Sequence, residues 1–282
     1  MTALYWLWFA FSACTGLVLG SFANVAIGRW AVDKSVVVPR SHCPTCGTTL
    51  GPVDLVPVLS WLWLRARCRH CGVSIAPTYP LIELLGGLLS VLVYRRVVPS
   101  PADVNAVNLT AWGILVVVVL LWLIAAYVDL EHWIIPDQTS VYAIPFGVAS
   151  AGLLTAIGYQ GWMAHTWQDA VVGALIGAGT LASASIAARY IYGFEALGWG
   201  DVKLMGFIGS VTGALPVLLF VLLVGSLIGV VVGLGYILVH RRRGMLPFGP
   251  SLVAAAVLYL LYGDVLSKVM FPSLALTLGW TG

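Results

Sequence analysis

The chain has 282 residues, of which 60% are hydrophobic and only 9% charged, with a mean hydropathy of +0.98. No ordinary soluble domain needs so much apolar surface, so the composition points to a polytopic membrane protein and excludes a water-soluble enzyme. A net charge of +3 gives no reason to expect a nucleic-acid partner.

Apolar runs follow one another at about 4–28, 80–94, 109–128, 138–158, 168–190, 202–213, 215–239 and 246–263. A span takes roughly 20 residues, so these runs predict an all-α bundle of about eight transmembrane helices. Met1 to Cys14 lacks a basic n-region, so the first run is expected to be a retained span rather than a signal peptide. The 80–94 run is short, but Arg95 and Arg96 can snorkel and lengthen it. The 202–213 run is too short to cross alone, and Gly213-Ala214-Leu215-Pro216 reads as a turn after it. It is expected to thin the bilayer locally or to enter partway. The predicted organisation is a first helix at 1–28, a cytoplasmic loop at 29–79 and a helical bundle at 80–282.

Basic residues orient the bundle. With the N-terminus outside and every run crossing, inner loops hold 11 of the 14 Lys and Arg residues and outer loops hold Arg95, Arg96 and Lys268. That asymmetry is what the positive-inside rule requires. Removing the 202–213 crossing would move Arg241, Arg242 and Arg243 outside, which argues for keeping it.

The loop at 29–79 carries Cys43-Pro44-Thr45-Cys46-Gly47 and Cys68-Arg69-His70-Cys71-Gly72. Two CxxC pairs, each followed by a glycine that lets the backbone turn, predict a tetrahedral zinc held by Cys43, Cys46, Cys68 and Cys71. The competing reading is two disulfides, which a reducing cytoplasm disfavours. His42 and His70 lie beside the cysteines as substitute ligands, but four thiolates already complete a site. Cys14 reads as a small core residue of the first span.

Two aspartates stand at the ends of long apolar runs, where a carboxylate carries a desolvation cost. Asp129 opens Asp129-Leu130-Glu131-His132-Trp133-Ile134-Ile135-Pro136-Asp137, and Asp201 closes Gly198-Trp199-Gly200-Asp201. Two runs separate them, an even number, so both belong at the same membrane face. A pair of carboxylates sharing a proton can hydrolyse a peptide, one taking a proton from water and the other donating to the scissile carbonyl. Gly198 and Gly200 would let a substrate backbone approach Asp201. The plainer reading of Asp201 is a helix cap. Asp137, Glu195 and Lys203 lie nearby as candidate substrate contacts, although capping or interface solvation explains them equally well. Glu83, three residues into a run, is expected to face the protein interior, where it is a candidate for touching substrate or a methyl donor. The twelve tryptophans read mostly as interfacial anchors.

In this order the motifs resemble those of the type IV prepilin leader peptidases. Gly20-Ser21-Phe22-Ala23-Asn24-Val25, the segments Pro39 to Gly47 and Asp54 to Leu62, Arg65 to Gly72, Tyr79-Pro80-Leu81-Ile82-Glu83-Leu84-Leu85 and both aspartate segments all carry the likeness, which covers most of the chain. The resemblance implies cleavage of a basic leader from prepilins and pilin-like secretion subunits at the cytoplasmic face of the bacterial inner membrane. It also implies N-methylation of the new terminus with S-adenosylmethionine, with Asp129 and Asp201 catalytic and Gly198 and Gly200 forming a GxGD signature. Residues holding the methyl donor are not readable, since no Gly-rich nucleotide-binding fingerprint is present. Gly28 and Trp30 stand where the family suggests tyrosine and leucine, and the bulk of Trp199 is expected to narrow the cleft. The alternatives are a GxGD protease with another substrate, a proton-coupled transporter, which predicts midplane carboxylates and internal repeats, and a membrane scaffold.

Overall fold

A computed structural model of the protein describes residues 1–159, 161, 166–193, 197–213, 217–240 and 247–270. Among these residues the regular elements are helices, with two isolated β-bridges and no strand. The α-helices are α1 (Thr2–Trp30), α2 (Leu59–Trp63), α3 (Thr78–Val97), α4 (Ala106–His132), α5 (Ala143–Ala156), α6 (Trp167–Tyr192), α7 (Trp199–Thr212), α8 (Val217–His240) and α9 (Gly249–Met270). Over most of their described residues all eight predicted apolar runs are helical, and α2 is an additional short helix inside the hydrophilic loop. Among the described residues, five helical segments are long and apolar enough to cross a membrane: Thr2–Trp30, Ala106–His132, Asp137–Ala156, Trp167–Ile191 and Val217–Tyr236.

The chain forms two compact units, 1–124 and 125–282, and α4 runs from the first into the second. In the first unit α1 and α3 pack antiparallel along a seam of small residues. A Cβ on Gly20 would stand 2.7 Å from the Glu83 Cα, and one on Gly86 would stand 2.6 Å from the Gly16 carbonyl oxygen. Glycine lets the two backbones touch, the means by which helices associate where no hydrophobic effect drives them. Hydrogen bonds fasten the seam: Ser90 Oγ donates to the Ser12 carbonyl at 2.7 Å and the Tyr94 hydroxyl to the Tyr5 carbonyl at 3.1 Å.

Cys14 lies off this seam and is exposed, not a core residue as its sequence position suggested. The packed face of α1 runs through Ser12, Gly16, Gly20 and Ala23, and a residue two positions after Ser12 points well away from it. The interfacial reading of tryptophan also fails for Trp112 and Trp122, which are buried along α4. Trp112 Nε1 donates to the Ser90 carbonyl at 3.3 Å.

In the second unit α7 is the enclosed element. From Asp201 to Thr212 every residue except Lys203 is buried, with α5, α6, α8 and α9 packed around it. Glycine again sets the spacing, since a Cβ on Gly173 of α6 would overlap the Gly209 carbonyl of α7, and one on Gly147 of α5 would overlap the Ser210 hydroxyl. A helix wrapped by protein need not match the bilayer thickness, which accounts for a length of only 14 residues.

Candidate active site and metal centre

The cysteine loop folds as two copies of one turn. Gly47 N donates to the Cys43 carbonyl at 2.9 Å, and Gly72 N to the Cys68 carbonyl at 2.9 Å. Both glycines take left-handed φ, 70° and 73°, a conformation that costs glycine little. Cys43 N then bonds the Thr48 carbonyl, as Cys68 N bonds that of Val73, and the bridges His42–Thr49 and Arg67–Ser74 close each turn.

The two turns bring four unbonded sulfurs within 4.8 Å of one another. The Cys43 and Cys71 sulfurs lie 3.8 Å apart. A tetrahedron with Zn–S bonds of about 2.3 Å has edges of about 3.8 Å, so the donor set fits zinc and is far from disulfide distance. The Thr48 hydroxyl, then its amide, lowers the Cys46 thiol to about 6. The amides of Cys71 and His70 lower Cys68. Although the Val73 amide pulls Cys71 down, burial and the three neighbouring sulfurs push it up to about 11. Four thiols packed this closely cannot all ionise without a cation among them. His42 stays outside the cluster, its Nδ1 donating to the Arg40 carbonyl at 3.0 Å.

The two aspartates meet in the second unit. Asp129 lies in the last turn of α4, which stops where Trp133 adopts a φ of 61° and Pro136 follows. Asp201 lies in the first turn of α7, after an extended Gly198, whose carbonyl accepts from Asp201 N at 3.1 Å. Both carboxyls are buried, and they lie close enough to interact through their charges. Gly249, the first residue of α9, donates its backbone N–H to Asp129 Oδ2 at 3.0 Å. A helix N-terminus offers unpaired amides and a positive dipole end, so it holds a carboxylate in place. Ile135 packs between the glycines: Cβ atoms built on Gly200 and Gly249 would stand 3.2 and 3.1 Å from its side chain.

Two family models match this chain, the bacterial peptidase A24 N-terminal domain over residues 14–97 and the type IV leader peptidase family over residues 115–234. A protein of Aeromonas salmonicida named prepilin leader peptidase/N-methyltransferase is 34% identical over 94% of both chains. The chain belongs to the type IV leader peptidase family. A second family member of the same name, from Myxococcus xanthus, is 39% identical over 81% of this chain and 63% of its own. A third, from Escherichia coli, is named type 4 prepilin-like proteins leader peptide-processing enzyme and is 36% identical over 87% of this chain and 91% of its own. No solved structure matches. The four cysteines fall within the first matched segment, and Asp129 and Asp201 within the second.

Other predicted positions of this peptidase-family chain divide. Lys203 and Asp137 form an ion pair at 2.8 Å, so the Asp137 side chain binds a lysine rather than capping a helix. Gly198 is exposed and Gly200 half-exposed; a side chain on Gly200 would stand 3.2 Å from Ile135, and one on Gly198 would stand 3.5 Å from Asp201 Oδ2. Trp199, beside Gly200, is 53% exposed. Glu195 lies outside the described residues. Glu83 is buried, and its Oε2 accepts the Val58 amide at 2.7 Å. Val58 has a φ of 60°, a costly conformation for a β-branched residue. Sequence reasoning passed over Gly249, Ile135 and Val58. The only local signal for Gly249 was Pro247-Phe248-Gly249-Pro250, a helix start like many others.

Proposed function

We propose that this protein removes the leader from prepilins and pilin-like subunits and N-methylates the terminus it exposes. The observation that carries the reading is the convergence of Asp129 and Asp201 beside Gly249 in one buried site. Two carboxyls that interact in one buried site titrate as a pair, so one can be ionised while the other keeps its proton. The ionised member takes a proton from water as the oxygen attacks the scissile carbonyl, and the protonated member donates to the carbonyl oxygen. Collapse of that intermediate breaks the C–N bond and returns a proton to the amine leaving group. Placement at helix ends, the last turn of α4 and the first of α7, argues against a transporter with midplane carboxylates.

We assign a structural zinc to Cys43, Cys46, Cys68 and Cys71, where its charge would hold the four thiolates and fix the loop. The relatives' methyltransferase names imply a methyl donor, taken here as S-adenosylmethionine. Bound, that group supplies an electrophilic methyl: the N–C bond forms as the C–S bond breaks, the thioether leaves, and the amine gives up its proton. Residues 29–79 and the dyad are placed on the cytoplasmic side of a bacterial inner membrane, the side to which the basic residues point. Residues 80–282 form the membrane bundle in this reading.

The test compares wild type with Asp129→Asn and Asp201→Asn on a prepilin in detergent. Each variant should lose about 10³-fold or more in leader cleavage while zinc content stays unchanged. Full cleavage by either variant would discard the dyad. Cleavage of an unrelated membrane peptide in preference to prepilin would favour a GxGD protease of another specificity.

A further inference from the structure

The loop between α1 and α3 does not stand clear of the helix ends. Val58 donates its amide to Glu83 Oε2 at 2.7 Å, and Glu83 lies five residues into α3, about 7.5 Å along its axis. The same turn of α3 packs on Gly20, ten residues before α1 ends at Trp30. The apolar run of α1 reaches about residue 28, so at Val58 the chain is back at the level where the spans begin.

α2 starts at the next residue and has two unlike faces. Ser60, Trp61 and the following Leu64 line a cavity of about 510 Å³. Leu59, Leu62 and Trp63, spaced as one helix face, are 65%, 58% and 84% exposed. Two hydrogen bonds fix the rotation of the helix, the Val58 amide on Glu83 and the Trp61 indole N–H on the Ile75 carbonyl at 3.1 Å. Trp63 therefore cannot be buried by a roll of α2. Past the helix, Arg65 and Ala66 take left-handed φ of 50° and 57°, uncommon for residues with a side chain. Arg65 and Arg67 are exposed and have no ion-pair partner among the described residues, whereas Arg69 is held by Asp54 at 2.9 Å. Asp54 is the only acid between Lys34 and Ile82, so no local carboxylate is left for the two arginines.

An apolar face tipped by tryptophan and followed at once by unpaired arginines is the chemistry that seats a segment at a lipid–water boundary. We propose that α2 is an interfacial anchor, with Leu59, Leu62 and Trp63 entering the bilayer below the headgroups and Arg65 and Arg67 meeting the phosphates of anionic lipid. The level of Val58 selects lipid over a soluble partner. α2 lies beside the start of α3, whose Leu81, Leu84 and Leu88 are exposed and, on a spanning helix, face acyl chains. Arg67 also opens the second cysteine turn through its bridge with Ser74, so the anchor holds that turn against the membrane surface.

A photoreactive side chain tests this on the zinc-loaded full-length protein in nanodiscs of phosphatidylethanolamine and phosphatidylglycerol. p-Benzoylphenylalanine placed at Trp63 should give phospholipid adducts by mass spectrometry, in a yield comparable with the same probe at Leu84. Combining Arg65→Gln with Arg67→Gln should lower the ratio of phosphatidylglycerol to phosphatidylethanolamine adducts at position 63 by about fivefold or more, and leave that ratio unchanged at Leu84. Zinc content and thermal unfolding show that each variant is folded. A probe at Trp63 that gives no lipid adduct, that captures a second copy of the chain, or that captures added prepilin in place of lipid would overturn the anchor. An unchanged lipid ratio in the double variant would overturn the role of the arginines. These readouts use no turnover, so the anchor stands or falls apart from the leader-peptidase reading.

Discussion

At the scale of single residues, Gly249 is where a small change should have a large effect. A methyl at this position would stand 2.7 Å from Asp129 Oδ2 and 3.1 Å from Ile135 Cδ1, closer than either neighbour can accept without moving. Gly249→Ala should therefore leave the fold and zinc in place yet reduce leader cleavage by roughly a hundredfold, through displacement of one carboxyl by a fraction of an ångström. Kinetics on a prepilin, reported as kcat with thermal unfolding alongside, would check it; wild-type kcat would show that the contact is incidental. Asp129 and Asp201 were readable because charge is rare in this chain and costly beside apolar runs. Gly249 was not, because its contribution is a backbone N–H and the absence of a side chain, and neither has a sequence signature. Lys203 and Asp137 could be noticed individually, but their pairing across 66 positions depends on how α7 packs.

At the scale of elements, the cysteine turns and the glycine seams each make a prediction. The turns share a hydrogen-bond pattern offset by 25 residues, from Cys43 to Cys68, so each half presents two thiolates in the same way. Losing one thiolate leaves the other three to repel without a complete site. Cys43→Ala should abolish stoichiometric zinc binding and impair methylation before cleavage, since the cysteine turns belong to the first unit and both aspartates to the second. Metal analysis beside both assays would decide it, and retained zinc would show that three sulfurs suffice. In the second unit, Gly173→Ala would drive a methyl into the Gly209 carbonyl and separate α6 from α7. A loss of about 1–3 kcal/mol, the usual cost of overpacking, should appear as a lower unfolding temperature in detergent. The CxxCG spacing announced the turns because a metal site is local chemistry. The enclosure of α7 was hidden because length and hydropathy describe a helix alone, whereas its surroundings come from four others.

At the scale of the whole molecule, orientation is the property that composition addresses most directly. Eleven of 14 basic residues fall on one predicted side, and the loop with the cysteines lies there too. Cys46 and Cys71 are exposed while Cys43 and Cys68 are buried. A membrane-impermeant thiol reagent added to intact cells should therefore leave all four unlabelled, and added to inside-out vesicles with a chelator it should reach Cys46 and Cys71 first. Labelling from outside would invert the topology. The eight apolar runs were all legible as helices because hydropathy reports them segment by segment. Which of them touch lipid was not legible, because burial by neighbours is a tertiary property.

The bond between Gly249 and Asp129 joins positions 120 residues apart. During synthesis the ribosome delivers Asp129 first, Asp201 next and Gly249 last, so for 120 of the 282 residues the carboxyl waits for the amide that will orient it. The growing chain would thus lack one support of the proposed centre until α9 arrives. A nascent chain arrested before that point would carry both aspartates and should cleave far more slowly than the full chain.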